Sequence, residues 1–250
     1  MNLLEVRGLV KRFGGLTATD GVDLEVRAGE VHAVIGPNGA GKTTFVNLLA
    51  GELRPDAGTI RFDGRDVTAQ PVWKRALAGL GRSYQITSVF AEFSALVNVV
   101  LAVQGRAGHS FRFFRPLAAE SALVEAARRA LADVGLGGKA DVPVAALAHG
   151  ERRQLEVAMT LATRPTLLLL DEPMAGMSLA ESARMVELVE SIKGRYGILL
   201  VEHDMDAVFR LADRISVLVY GRVIASGDPA SIRNNAEVRT AYLGDQELVA

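Results

Sequence analysis

The sequence has 250 residues, 49% of them apolar, with 28 basic against 29 acidic side chains and no cysteine. That length and apolar content suffice for a substantial core, which excludes a disordered chain, and the missing cysteines exclude disulfides, thiolate ligands and thiol nucleophiles. A formal net charge of −1 gives no pointer to nucleic acid.

The four histidines, His32, His109, His149 and His203, lack metal-ligand spacing. The opening stretch MNLLEVRGLVKRF carries charges where a secretory signal would need its apolar centre. No run reaches the roughly eighteen uncharged apolar residues of a membrane span.

In chain order, NLLEVRGLVKRF alternates and predicts a strand, and GVDLEVRAGE predicts a second one ending in a turn. Residues 31–35 form a short apolar run that enters a glycine-rich loop. A helix follows, with Phe45, Leu48 and Leu49 on one side. RPDAG is a turn, and TIRFDGRDV predicts a strand with a hairpin. From Val89 to about Thr163 the pattern becomes helical, clearest in SALVEAARRALADVGL. The glycine-, arginine- and aromatic-rich GRAGHSFRFFRPLAAE interrupts it as a loop. After Pro165 the order is strand (TLLLLDEP), helix (LAESARMVELVESIKG), strand (GILLVEHD), helix (MDAVFRLA) and a strand pair (RISVLVYGRVIASG). A helix and a loose end follow from Asp228. The alternation predicts an α/β core split by a helical insertion at 89–163.

Four segments carry candidate chemistry. GPNGAGKT at 36–43 fits G-x-x-x-x-G-K-[ST] between a strand and a helix. Gly36, Pro37, Asn38, Gly39, Ala40 and Gly41 would curl so that backbone N–H groups face phosphate oxygens at a helix N-terminus. Lys42 would reach the β- and γ-phosphates, Thr43 would ligate Mg²⁺, and Thr44 would support the α-phosphate. LLLLDEP at 167–173 puts Asp171 and Glu172 at the end of a buried strand, where open α/β sheets bind ligands. Asp171 would hold Mg²⁺, and Glu172 would orient the attacking water. His203, after the strand in LLVEHD, could contact the γ-phosphate and that water. Gln85, in GRSYQ, could ligate Mg²⁺ or sense the γ-phosphate. Outside this context a lone histidine or glutamine there is an ordinary loop residue.

This order of motifs resembles the ATP-binding cassette subunits of membrane transporters over essentially the whole chain. The resemblance rests on the phosphate loop at 36–44, Gln85, a signature segment at 147–151 (LAHGE), the carboxylate strand at 167–172 and His203. It implies a P-loop NTPase with a RecA-like core and an N-terminal antiparallel β subdomain at 1–88 and 164–227. It also implies an inserted α-helical signature subdomain at 89–163 and a C-terminal tail at 228–250. The activity implied is hydrolysis of ATP with Mg²⁺ by a sandwich dimer with a second ATPase subunit. Ala148, His149, Gly150 and Glu151 of one subunit would cap ATP held by the other, and Phe13 would stack on adenine unless it is a core strand residue. Two transmembrane permeases, and a periplasmic solute-binding protein indirectly, would complete the assembly at the cytoplasmic face of a bacterial inner membrane. No nucleic acid is expected.

HGE in the signature, the arginine- and phenylalanine-rich stretch at 106–116, DEPMAGM and the terminal AYLG resemble the larger ATPase of branched-chain amino acid importers. Urea or amide importers, lipid or lipopolysaccharide exporters, and soluble cassettes acting on ribosomes or DNA are the competing readings. Two positions depart from the family pattern. Ala148 stands where a serine is usual, and Ser178 where an aspartate is usual.

Overall fold

The computed structural model describes residues 2–83, 89–107 and 121–243. Two sheets share the molecule. The first is antiparallel, in the order β2-β1-β4-β5, from β1 (Asn2–Phe13), β2 (Leu16–Arg27), β4 (Ala57–Phe62) and β5 (Arg65–Asp66). The second has the order β10-β9-β3-β8-β7-β6. In it β3 (Val31–Ile35), β6 (Leu80–Arg82), β7 (Leu167–Asp171), β8 (Gly197–Val201) and β9 (Arg214–Val219) run parallel, and β10 (Arg222–Gly227) closes one edge antiparallel to β9. Non-consecutive neighbours joined by helical crossovers are the doubly wound pattern that the strand–helix alternation predicts.

The leucine run at 167–170 shows why a continuous apolar strand belongs in the middle of such a sheet. Side chains alternate faces, and both faces are covered. Leu167 and Leu169 join a core with α1 (Lys42–Ala50) and the antiparallel sheet. Leu168 and Leu170 join a second core with α3 (Ala95–Ala107), α4 (Ser121–Asp133), α5 (His149–Ala162) and α6 (Leu179–Ile192). A third cluster packs α7 (Met205–Leu211) and α8 (Pro229–Asn234) against Ile35, Ile215 and Val217.

The structure extends the sequence reading in two places. The second strand begins at Leu16 rather than Gly21. Its first half, LTATDG, is poor in apolar residues, yet Arg12 and Phe13 pair with Thr17 and Leu16 and draw it into the hairpin. A short helix, α2 (Val72–Ala78), and strand β6 also lie between the hairpin and residue 84. Their punctuation is visible in hindsight, with Pro71 before the helix and Gly79 in the left-handed region after it.

Arg75, on α2, is the largest fully buried side chain among the described residues. Its guanidinium donates to Leu48 O and Leu49 O, both at 2.7 Å, and to Gln70 O and Thr68 O, each at 3.0 Å. The first two are last-turn carbonyls of α1, which lack partners within that helix. Burial lowers the Arg75 pKa to about 10, still far above neutrality, so the side chain remains a cation at the negative end of the helix dipole. Arg75 thereby anchors the C-terminus of the helix whose N-terminus carries the phosphate loop.

Candidate active site

The loop from Gly36 to Gly41 joins β3 to α1, and its close approaches explain two of its glycines. A side chain at Gly36 would put its Cβ 2.0 Å from Leu218 O, and one at Gly41 would put it 2.1 Å from Ala18 O. Gly41 also has φ +104°, a conformation that L side chains rarely adopt. Beside Gly39 a Cβ would meet nothing within 4 Å, so the loop is open on the side away from the sheet.

Lys42 is the first residue of α1 and is 6% exposed. Its ammonium donates to Gly36 O at 2.7 Å and Pro37 O at 3.1 Å, spanning the mouth of the loop. Burial lowers its pKa, and the neighbouring Glu172 and Asp171 pull it back up. Thr43 is exposed and Thr44 half-buried on the same turn.

Asp171 ends β7 with 1% exposure. Burial pushes its carboxyl above the usual range, and the Arg82 guanidinium only partly offsets that. Arg82 approaches Oδ2 at 3.4 Å and ties back to Glu52 at 3.1 Å, while Oδ1 has no hydrogen-bond partner. A buried carboxylate oxygen without a partner is unstable unless a cation or donor completes it. The unpartnered Asp171 oxygen therefore suits a hard divalent cation, and Thr43 offers an exposed hydroxyl on the first turn of α1. Gln85 lies outside the described residues. Among the described residues no three His, Asp or Glu side chains cluster as a self-sufficient metal site. Most ligands of a nucleotide-borne cation would come from phosphate and water.

Glu172 has φ +50°, uncommon for a residue with a Cβ. Its N–H still bonds Val201 O at 2.8 Å, so the chain leaves the strand abruptly rather than loosely. Glu172 Oε1 then lies 2.7 Å from His203 Nε2, at the end of the adjacent strand β8. Behind the pair sits Glu202, which the sequence reading passed over despite its place beside His203. Glu202 is 3% exposed and accepts from Met174 N at 2.8 Å and His203 N at 3.0 Å. Its carboxylate thus ties together the segments that follow β7 and β8. Burial raises the Glu202 pKa despite those amides.

Phe13 is 46% exposed at the tip of the β1–β2 hairpin, so it is not a core residue. The Lys11 ammonium sits 5.6 Å from its ring centroid. Ala18, two residues along β2 from Leu16, presses its carbonyl on Gly41, which places the hairpin tip beside the phosphate loop.

The segment from Ala148 to Glu151 opens α5 at a distance along the chain from these groups. Ala148 is the N-cap, and its N–H donates to Glu151 Oε2 at 3.1 Å. Only this half of a capping box exists, because alanine has no oxygen to accept the Glu151 N–H. Glu151 also pairs with Lys139, which holds its carboxyl below the usual range. His149 Nε2 lies 3.3 Å from Ala175 O. Ser178 caps α6 in a box with Glu181, so the residue that departs from the expected aspartate has a local role.

A family model described as "ABC transporter" matches residues 19–175, more than half of the chain. The chain belongs to the ATP-binding cassette family. A second model, "Branched-chain amino acid ATP-binding cassette transporter", matches residues 222–247 of the cassette. The cassette is 39% identical to the high-affinity branched-chain amino acid transport ATP-binding protein BraF of Pseudomonas aeruginosa, covering 97% of this chain and 98% of that one. It is 38% identical to the protein LivG of the same description from Escherichia coli K12, with the same coverage. Among solved structures it resembles a nucleotide-free ATP-binding cassette from an ABC transporter, with TM-score 0.84, 28% identity and coverage of 98% and 100%. An ADP-conformation cassette gives TM-score 0.85 at 27% identity, covering 98% and 100%.

Proposed function

We propose that this cassette hydrolyses ATP to drive uptake of branched-chain amino acids through permeases in a bacterial inner membrane, acting from its cytoplasmic face. The observation that carries hydrolysis is the Glu172–His203 contact at 2.7 Å beside the Lys42 loop. The names of the relatives and the 222–247 match support the solute class. No described helix is long and apolar enough to cross a membrane.

In this reading Lys42 leaves the Gly36 and Pro37 carbonyls for the β- and γ-phosphates, and the loop N–H groups hold the phosphate oxygens. Thr43, Asp171 and Gln85 would hold Mg²⁺, which would supply charge neutralisation on the phosphates when bound. Glu172 orients and polarises the water that attacks the γ-phosphorus. The bond to the β,γ-bridging oxygen breaks, and ADP leaves with that oxygen. His203 holds Glu172 and contacts the γ-phosphate. Phe13 stacks on adenine. Ala148, His149, Gly150 and Glu151 cap ATP held by a second cassette. The helical unit at 89–163 contacts the permeases, and its edge with the segment from Gln85 to Asn98 would line the groove that receives a permease helix. An apolar pocket lined by Val72, Ala76, Leu80, Met159 and Thr163 lies between α2, β6 and α5 on the side of that unit.

The test is reconstitution of the chain in liposomes with candidate permeases and a second cassette from the same genome. ATP-dependent accumulation of leucine when the matching binding protein is supplied is the expected result. Accumulation of urea or short amides without leucine would replace the solute assignment, and outward movement of lipid would replace the direction.

A further inference from the structure

The N-terminus of α5 is not open in this structure. Gly150 N–H donates to Glu181 Oε1 at 3.0 Å, joining the start of α5 to the start of α6. The fit is close, since a Cβ at Gly150 would meet Glu181 Oε1 at 2.8 Å and Cγ at 2.9 Å. Only glycine admits the carboxylate here. The other oxygen of the same carboxylate, Oε2, stays with its own helix, at 3.0 Å from Ser178 N and 2.7 Å from Ser178 Oγ. Glu181 can therefore release Gly150 and keep its cap.

We propose that Glu181 is a positioning residue that stands in the place of the γ-phosphate, satisfying the Gly150 N–H until ATP on a partner cassette displaces it. This rests on the reading, given above, that Gly150 caps the partner's nucleotide. The argument is competition for one donor. A backbone N–H at this position serves one strong anionic acceptor at a time, and both the carboxylate and the phosphate are anions. Glu181 is a full anion in this setting, because its bonds to Ser178 and Gly150 hold its pKa down to about 2. Ala148 supplies no hydroxyl to the incoming phosphate, so Gly150 carries a larger share of that contact. A residue that occupies Gly150 therefore sets how much ATP is needed to close the pair.

The sequence contains the device as Ser178-Leu-Ala-Glu181, an S-x-x-E capping box. What it does not show is that the carboxylate also reaches a second helix.

The test uses the full chain carrying Glu172→Gln, alone and with Glu181→Ala or Glu181→Gln added. Sedimentation follows pairing against Mg–ATP concentration, and NMR follows exchange of the Gly150 amide without nucleotide. Glu181→Ala is expected to lower the ATP concentration for half-pairing about tenfold and to speed Gly150 exchange about tenfold, the scale of one charge-assisted hydrogen bond. Glu181→Gln, neutral but still an acceptor, falls between. With Glu172 intact, Glu181→Ala lowers KM for ATP and leaves kcat unchanged. A purely structural role in capping α6 gives weaker pairing instead, and that result, or an unchanged midpoint and exchange rate, overturns the proposal. If the Glu172→Gln chain stays unpaired at saturating ATP in every background, pairing of like copies fails. The Gly150 exchange rate then decides: tenfold acceleration supports the contact, and no change overturns it.

Discussion

Glu172 and His203 close a contact of 2.7 Å between the ends of neighbouring strands, although thirty positions of sequence separate them. The contact depends on Glu172 leaving its strand at φ +50°, which turns its carboxylate toward β8. Glu172→Gln keeps the shape and a hydrogen-bonding oxygen but removes the charge that polarises water. Phosphate release is expected to fall by at least about 100-fold, the usual scale for a positioned acid–base group, with ATP binding retained. Turnover is measured by phosphate release and binding by retained nucleotide. Normal turnover in this variant removes Glu172 from its proposed role.

The Glu172–His203 pair also shows how far the sequence could be read. The strand ends, the glycine loop and the order of motifs were legible, because each is a local pattern with a local cause. Arg82 and Glu202 were not, since nothing in GLGRSY or LVEHD says that one side chain meets Asp171 and the other joins two loop backbones. α2 was missed because seven residues give too short a period to stand out from its flanking turns. Ser178 looked like a loss, and the structure shows it capping α6.

Ala148 tests the other end of the chemistry. A serine there would accept the Glu151 N–H and complete the capping box, worth about 1 kcal/mol. Ala148→Ser is expected to raise the melting temperature by about 2–4 °C for a chain of this size. It should also tighten ATP-driven pairing, by adding a hydroxyl donor toward the partner's phosphate. Calorimetry and sedimentation separate the two effects. A raised melting temperature with unchanged pairing would place Ala148 away from the nucleotide.

His32 sets an acid limit on stability. It is 1% exposed, with Nδ1 at 2.8 Å from Glu25 O and Nε2 at 2.8 Å from Ser216 Oγ. The carbonyl can only accept, so Nδ1 carries the proton and Nε2 accepts from the serine. Burial lowers the pKa from 6.5 to about 4. Between those values the unfolded chain binds a proton that the folded chain does not, so stability rises with pH through that window. The contribution is complete above pH 6.5 and falls by about 3 kcal/mol on acidification to pH 4, at 1.36 kcal/mol per unit. Urea unfolding of the wild type and His32→Gln across pH 4–7 measures it. Equal slopes in the two proteins would show that other groups carry the acid sensitivity.

Arg75 links stability to the site through α1. Four carbonyl oxygens receive its guanidinium, two of them at the C-terminus of the helix that begins with Lys42. Arg75→Met fills similar volume and removes this donor from all four carbonyls, leaving the buried Leu48 O with only the Gly51 N–H at 3.3 Å. The penalty for stranding buried acceptors of a charged donor is about 3 kcal/mol or more. Lys restores a charge but not the fork that reaches several carbonyls at once, so Arg75→Lys should recover only part. The helix is anchored at one end and carries the phosphate loop at the other, so Arg75→Met should also weaken ATP binding while the fold persists. Urea midpoints give the stability change, and fluorescent-nucleotide titration at low urea gives the affinity. A destabilised protein with unaltered ATP affinity would show that the loop holds its shape without this anchor.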